Sequence, residues 1–262
     1  MRKFTITRSP LRHRQAKRKT SCQTPLAAGF FVVCAAVSWP FFGTPHAQSA
    51  RAKNPGAGTI AGSVAFSGRP PAQRPLDRRS DPVCARTHKL DEAVVVTDGK
   101  LRDVHVRIKV GTFARHAPPD RPAAVDQSEC MYTPRVIGLV EGQKLIITNS
   151  DPTYHNVRGA SSKRTMWNLG QPARAPAIVR NNIGKAGQVV SLHCDVHQWM
   201  RAYAVITDHP YFDVTGRDGS FTIAGVPPGQ YTLEAWHPEL GVKSTRVSVR
   251  KGETSKVQFR FN

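Results

Sequence analysis

Four side chains have the types and spacing to hold a soft metal ion: His155, Cys194, His197 and Met200. Three of them recur at every third position in Leu192-His193-Cys194-Asp195-Val196-His197-Gln198-Trp199-Met200. Strand-like runs flank that stretch, so the three belong to one tight loop. His155 follows the apolar run 144–148 and the turn Asn149-Ser150-Asp151-Pro152, and arrives from elsewhere in the sheet. One thiolate, two imidazoles and a long, weak thioether form the donor set of a blue copper electron-transfer centre. Soft sulfur suits Cu(I), and imidazole tolerates both oxidation states. Four protein donors leave no open position for a substrate, which favours a carrier over an enzyme. Taken alone, the Cys194–His197 pair is more simply a buried thiol beside a surface imidazole. His155 after Asn-x-Asp-Pro, with Met200 in register, moves the balance toward copper. Met166 is an alternative axial sulfur, set in a less regular stretch.

The remaining histidines have plainer readings. His193 should point to the opposite face of its strand from Cys194. His105 alternates with Arg107 and Lys109 and reads as solvated surface. His209 and His237 flank aromatic residues and read as packing or polar surface, while Trp199 and Trp236 read as core or domain-junction aromatics.

The elements that must position these groups are strands. Gly58–Phe66 alternates with period two, and Val94–Thr97, a turn at Asp98-Gly99 and Val104–Val110 suggest a hairpin. Residues 113–128 read as a loop and 158–185 as irregular. Strands are expected at 136–139, 144–148, 188–192 and 201–207. A fresh set of short strands begins near Asp208, with turns at Asp218-Gly219 and Pro227-Pro228-Gly229. Turns every eight to twelve residues, with no helical stretch, predict an all-β chain of sandwiches.

The first fifty residues read as an export signal: eight basic residues, no acidic ones, the apolar run Pro25–Trp39, then small residues to Ala50. The apolar run is short for a spanning helix, although an uncleaved anchor is the alternative. A periplasmic or secreted protein without membrane insertion after cleavage is expected. Cleavage removes Cys22 and Cys34 and leaves Cys84, Cys130 and Cys194. An oxidising compartment favours one disulfide among these three. With Cys194 in the chemistry-bearing loop, Cys84 and Cys130 form the pair. Lys and Arg number 38 against 18 Asp and Glu, a net charge of +20. Without residues 1–50 the balance is 30 against 18, or +12. That is too modest to suggest nucleic acid, and it suits an acidic partner.

At these residues the chain resembles the cupredoxin family of blue copper proteins. The loop Cys194-Asp-Val-His197-Gln-Trp-Met200 is similar to the short C-x-x-H-x-x-M loop of amicyanin, and residues 132–157 are similar to the strand pair preceding the first ligand histidine. The resemblance implies His155, Cys194, His197 and Met200 as copper ligands. It also implies that Asn156 braces the Cys194 loop by hydrogen bonding, and that the His197 ring edge is a solvent-facing exit for the electron. Residues 206–262, with Asp218-Gly-Ser-Phe221 and Val226-Pro-Pro-Gly-Gln-Tyr-Thr-Leu233, resemble the carboxypeptidase regulatory-like (transthyretin-like) sandwich. The expected organisation is a signal at 1–50, a cupredoxin-like Greek-key domain at 57–206 with extra N-terminal strands, and the smaller sandwich at 207–262. Strands in 58–112 have no fixed owner, because Gly58-Thr-Ile-Ala-Gly-Ser-Val64 also looks like a first strand of the regulatory-like module. A one-electron carrier serving a redox partner is the function this implies. A non-redox cell-envelope binding module, or a copper storage or delivery protein, is the alternative.

Overall fold

The computed structural model describes residues 56–162 and 164–262, so the expected signal at 1–50 lies outside the described residues. The described chain is all-β. Its first part carries β1 (Gly58–Phe66), β2 (Val96–Thr97), β3 (Lys100–Leu101) and β4 (His105–Ile108). The middle carries β5 (Ala123–Ser128), β6 (Met131–Thr133), β7 (Val136–Val140), β8 (Leu145–Asn149) and β9 (His155–Ser161). It continues with β10 (Arg164–Gln171), β11 (Ile178–Arg180), β12 (Val189–His193) and β13 (Arg201–Thr207). The last part carries β14 (Phe212–Val214), β15 (Ser220–Val226), β16 (Gly229–His237), β17 (Gly241–Val249) and β18 (Thr254–Phe261). Among the described residues no helix is long and apolar enough to cross a membrane.

Pairing sorts the strands into two sandwiches. In the outer one, β1 is the organising strand: it runs parallel to β18 from Thr59 to Phe66 and antiparallel to β15. Its end pairs with β3, which forms a hairpin with β2 across Asp98 and Gly99, both at positive φ. The facing sheet has the order β14-β4-β16-β17. Ile60, Val64, Leu101, Val106, Phe221 and Phe261 fill the space between. The strands of 58–108 therefore pair with the C-terminal strands. The expected hairpin is confined to β2 and β3, because Asp103 at positive φ turns the chain away and sends β4 into the other sheet.

The inner sandwich, of two facing sheets, is built from 123–207. Its sheets have the orders β10-β9-β12-β13-β7 and β11-β8-β5-β6, with parallel pairs β13–β7 and β5–β8. Leu139, Leu145, Ile147, Val157, Val190, Leu192 and Ile206 form its core. It is looped out between β4 and β14, which pair with each other, and the Ile108 amide donates to the Tyr211 carbonyl at 3.1 Å. At the junction β7 approaches closely: a Cβ on Gly138 would lie 2.3 Å from the Phe212 ring and 2.8 Å from His105 Nε2. Tyr203 and Trp236 meet there edge-on, their ring centroids 5.8 Å apart.

Two stretches expected to lack strands contain them. Residues 113–128 include β5, and 158–185 hold β10, β11 and most of β9. On β10 the inward positions are Trp167, Leu169 and Gln171, but the polar Gln171 and the exposed Arg164, Thr165 and Met166 hide the apolar alternation that betrays a strand.

Candidate metal centre

The loop between β12 and β13 closes on itself. The Cys194 amide donates to the Met200 carbonyl at 3.3 Å, the Met200 amide to the His197 carbonyl at 2.9 Å, and the His197 amide to Cys194 Sγ at 3.4 Å. Asn156, beside His155 on β9, grips the loop from below. Its Oδ1 accepts from the Asp195 amide at 2.7 Å, the Val196 amide at 3.4 Å and Cys194 Sγ at 3.4 Å. Its Nδ2 donates to Asn168 Oδ1 at 2.8 Å and to Asp195 Oδ2 at 3.1 Å.

One ligand atom each of His155, Cys194 and His197 lies within 4.8 Å of the other two, and all three residues are buried. His155 Nδ1 is 2.9 Å from His197 Nδ1, which is 3.9 Å from Cys194 Sγ. Met200 is fully buried in the same loop, whereas Met166, the alternative sulfur, is 42% exposed on β10. Cys84 and Cys130 are joined in a disulfide, which leaves Cys194 as the free thiol among the described residues.

The far nitrogens of both rings meet carboxylates. His155 Nε2 is 2.9 Å from Asp151 Oδ2, and His197 Nε2 is 3.0 Å from Asp81 Oδ2. Glu129 and Cys130, both at positive φ, aim their amides at Asp151 at 2.7 and 2.8 Å. Each of the three contacts in the row Asp81–His197–His155–Asp151 needs a cation or proton between its atoms. With protons drawn to the two carboxylates, the facing Nδ1 lone pairs are left to share one cation. A bound metal ion would answer that need.

The electrostatics agree with a thiolate site. Burial opposes the Cys194 thiolate, but hydrogen bonds from His155, from the Asn156 backbone on β9 and from the His197 and Val196 amides of the loop bring its pKa below the ordinary value. Burial also opposes charging of His155, yet the Asp151 hydrogen bond and the Cys194 sulfur raise it to about 8. Burial, then the neighbouring His155 charge, lowers His197 against the pull of Asp81. Thiolate and neutral imidazole are the forms that bind metal, so a metal at His155 would displace the proton that the raised pKa keeps on its ring at neutral pH.

Two expectations are corrected. The His197 ring edge does not face solvent: the residue is 1% exposed, covered by Asp81, by Cys84 Sγ at 3.7 Å and by Trp199 at 5.1 Å between ring centroids. His105 is not solvated but fully buried, stacked on Phe212 at 5.1 Å, because the close approach of β7 covers that end of β4. His209 and His237 are buried, and each accepts a backbone amide at Nδ1. Asp81 and Asp151 escaped the sequence reading. Their signals are slight: Asp81 stands three residues before Cys84, and Asp151 four before His155.

A family model described as polysaccharide lyase family 4, domain II, matches residues 183–257, a span that crosses from the inner sandwich into the outer. Comparison with curated proteins finds no match. Among solved structures, the chain is similar to a purple cupredoxin from Nitrosopumilus maritimus, at 16% identity and a TM-score of 0.28 over 32% of this chain and 99% of that one. It is also similar to a reduced amicyanin variant, at 18% identity and a TM-score of 0.30 over 38% and 98%. A copper-containing nitrite reductase (NirK) from Thermus scotoductus SA-01 is similar at 15% identity and a TM-score of 0.29, over 39% of this chain and 25% of that one.

Proposed function

We propose that the protein is a periplasmic type 1 copper-binding protein that carries one electron at a time and is not an enzyme. The observation that carries this reading is the buried meeting of one ligand atom each from His155, Cys194 and His197 within 4.8 Å, with Met200 buried in the same loop. Two imidazoles, a thiolate and a thioether fit copper by ligand softness. Bound copper would supply the Cu(II)/Cu(I) couple. The chain's part is to hold those donors still: Asn156 fixes the loop, the carboxylates fix the rings, and the sheets exclude water. Asn156 is thus read as the brace and Met200 as the axial donor.

The Cys84–Cys130 disulfide supports an oxidising compartment. The outer sandwich is read as the regulatory-like module. An acidic redox partner is supported by the excess of basic over acidic residues outside 1–50, 30 against 18. Adding Cu(II) to the purified protein should produce a strong visible thiolate-to-copper band. A colourless protein with a freely titratable Cys194 overturns the reading. Rapid loss of the metal to a chelator would indicate storage or delivery instead. The match of residues 183–257 to a lyase domain favours a second reading, a non-redox envelope binding module. A colourless protein retained on polysaccharide would establish it.

A further inference from the structure

The side of His197 turned away from Cys194 is covered by chain that the inner sandwich does not itself supply. Residues 67–95 connect β1 to β2, both strands of the outer sandwich, and their middle lies against the Cys194 loop. Asp81 sits there, with Oδ2 3.0 Å from His197 Nε2. Three donors hold this carboxylate: the Val83 amide at 2.7 Å and the Cys84 amide at 3.2 Å on Oδ1, and Thr153 Oγ1 at 2.8 Å on Oδ2. The disulfide to Cys130 fixes the next turn of chain. Arg78 completes the cover, donating to the Thr87 and Glu129 carbonyls with its guanidinium 6.0 Å from the Trp199 ring centre.

An imidazole can offer either ring nitrogen to a metal, and the partner of the other nitrogen decides which. A carboxylate held on Nε2 keeps the ring proton there and leaves the Nδ1 lone pair facing Cys194 and His155. The geometry points to Asp81 as a positioning residue of the metal centre, tethered over His197 by the Cys84–Cys130 disulfide. The copper reading supplies the identity of the metal; the ring orientation stands without it. Asp151 has the same relation to His155, so both ligand rings are backed by an anion. Losing such a partner typically costs about 10–100-fold in metal affinity. The negative charge also favours the more highly charged metal, so removing it raises the reduction potential.

The test uses the full chain with Asp81→Ala, Asp81→Asn, Asp81→Glu and Thr153→Val, each checked for the disulfide and for cooperative unfolding. In the metal-free protein, nitrogen-15 shifts of the His197 ring should report a proton on Nε2. Asp81→Ala should lose that tautomer and about 10–100-fold in Cu(II) affinity. Asp81→Glu should restore part of both, and Thr153→Val should move both in the same direction by less. Asp81→Asn should raise the reduction potential. If Asp81→Ala does not fold, Asp81→Asn and Thr153→Val decide the matter alone. An unchanged His197 tautomer and an unchanged affinity across the folded variants overturn the proposal. A wild type without the visible band overturns the copper reading alone, because the metal-free ring measurement still decides the role of Asp81.

Discussion

His105 and His155 are both fully buried residues at the start of a strand, one in each sandwich, and they behave in opposite ways. Neither ring nitrogen of His105 has a hydrogen-bond partner, and burial, then the Arg107 charge, pushes its pKa well below the ordinary value. His155 has Asp151 on one nitrogen, His197 on the other and a thiolate nearby, and it is raised to about 8. Burial alone therefore turns a histidine into an apolar filler. A partner for each nitrogen turns it into a group that exchanges a proton, or a metal, with its neighbours.

The sharpest way to break this contrast is by colour. Cys194→Ser should abolish the visible copper band outright, since serine offers no thiolate, and His155→Leu should remove the type 1 signature. His105→Leu should leave the band intact, as read by absorption after adding Cu(II). A bleached His105→Leu protein would mean that the outer imidazole serves the site after all.

Acidity gives the next largest effect. His155 is raised from 6.5 to about 8, so its contribution to stability is fully present below pH 6.5 and is lost as the pH rises through 8. At 1.36 kcal/mol per pKa unit that is at most about 2 kcal/mol. Asp151→Asn should lower the midpoint of the His155 ring titration in metal-free protein. The stability difference between wild type and this variant should be largest below pH 6.5 and narrow above pH 8, as measured by urea unfolding. His237, lowered to about 4 by burial and then by the Arg135 charge, has the opposite sign. Its contribution is present above pH 6.5 and is lost as the pH falls toward 4.

Replacing His105 by Leu should leave stability unchanged or raise it by about 1 kcal/mol, because no buried polar partner is stranded. A loss of several kcal/mol in urea would reveal a partner for His105. The smallest effect is at Met200. Met200→Gln should keep the protein coloured while lowering its reduction potential, because the harder amide oxygen favours Cu(II). An unchanged spectrum and potential would remove Met200 from the axial position.

The loop Cys194–Met200 could be picked out as a candidate because its three possible donors stand within seven residues. Asn156 was legible only through the family resemblance, by its place next to His155. Strands with alternating apolar residues, such as β1, β12 and β13, could be read directly. β10 could not, because its inward row of Trp167, Leu169 and Gln171 ends on a polar residue and follows three exposed ones. His105 misled because alternation reveals two faces of a strand but not what covers each. Asp81 was out of reach for a different reason: its meaning rests on a ring 116 residues away. Local sequence cannot announce such a partner.

The looping-out of 123–207 between paired strands has a consequence for the order in which the molecule can be made. The inner sandwich is complete once β13 has been synthesised, and its strands are all drawn from one continuous stretch. The outer sandwich must wait, because β1 finds its full-length parallel neighbour only in β18. Until then β1, β2 and β3 can pair only among themselves, and β4 waits for β14 and β16, while Cys84 already has Cys130 available. The nascent chain can thus close the Cys194 loop, with Asp81 latched over His197, while the sandwich that contributes the latch is still unfinished.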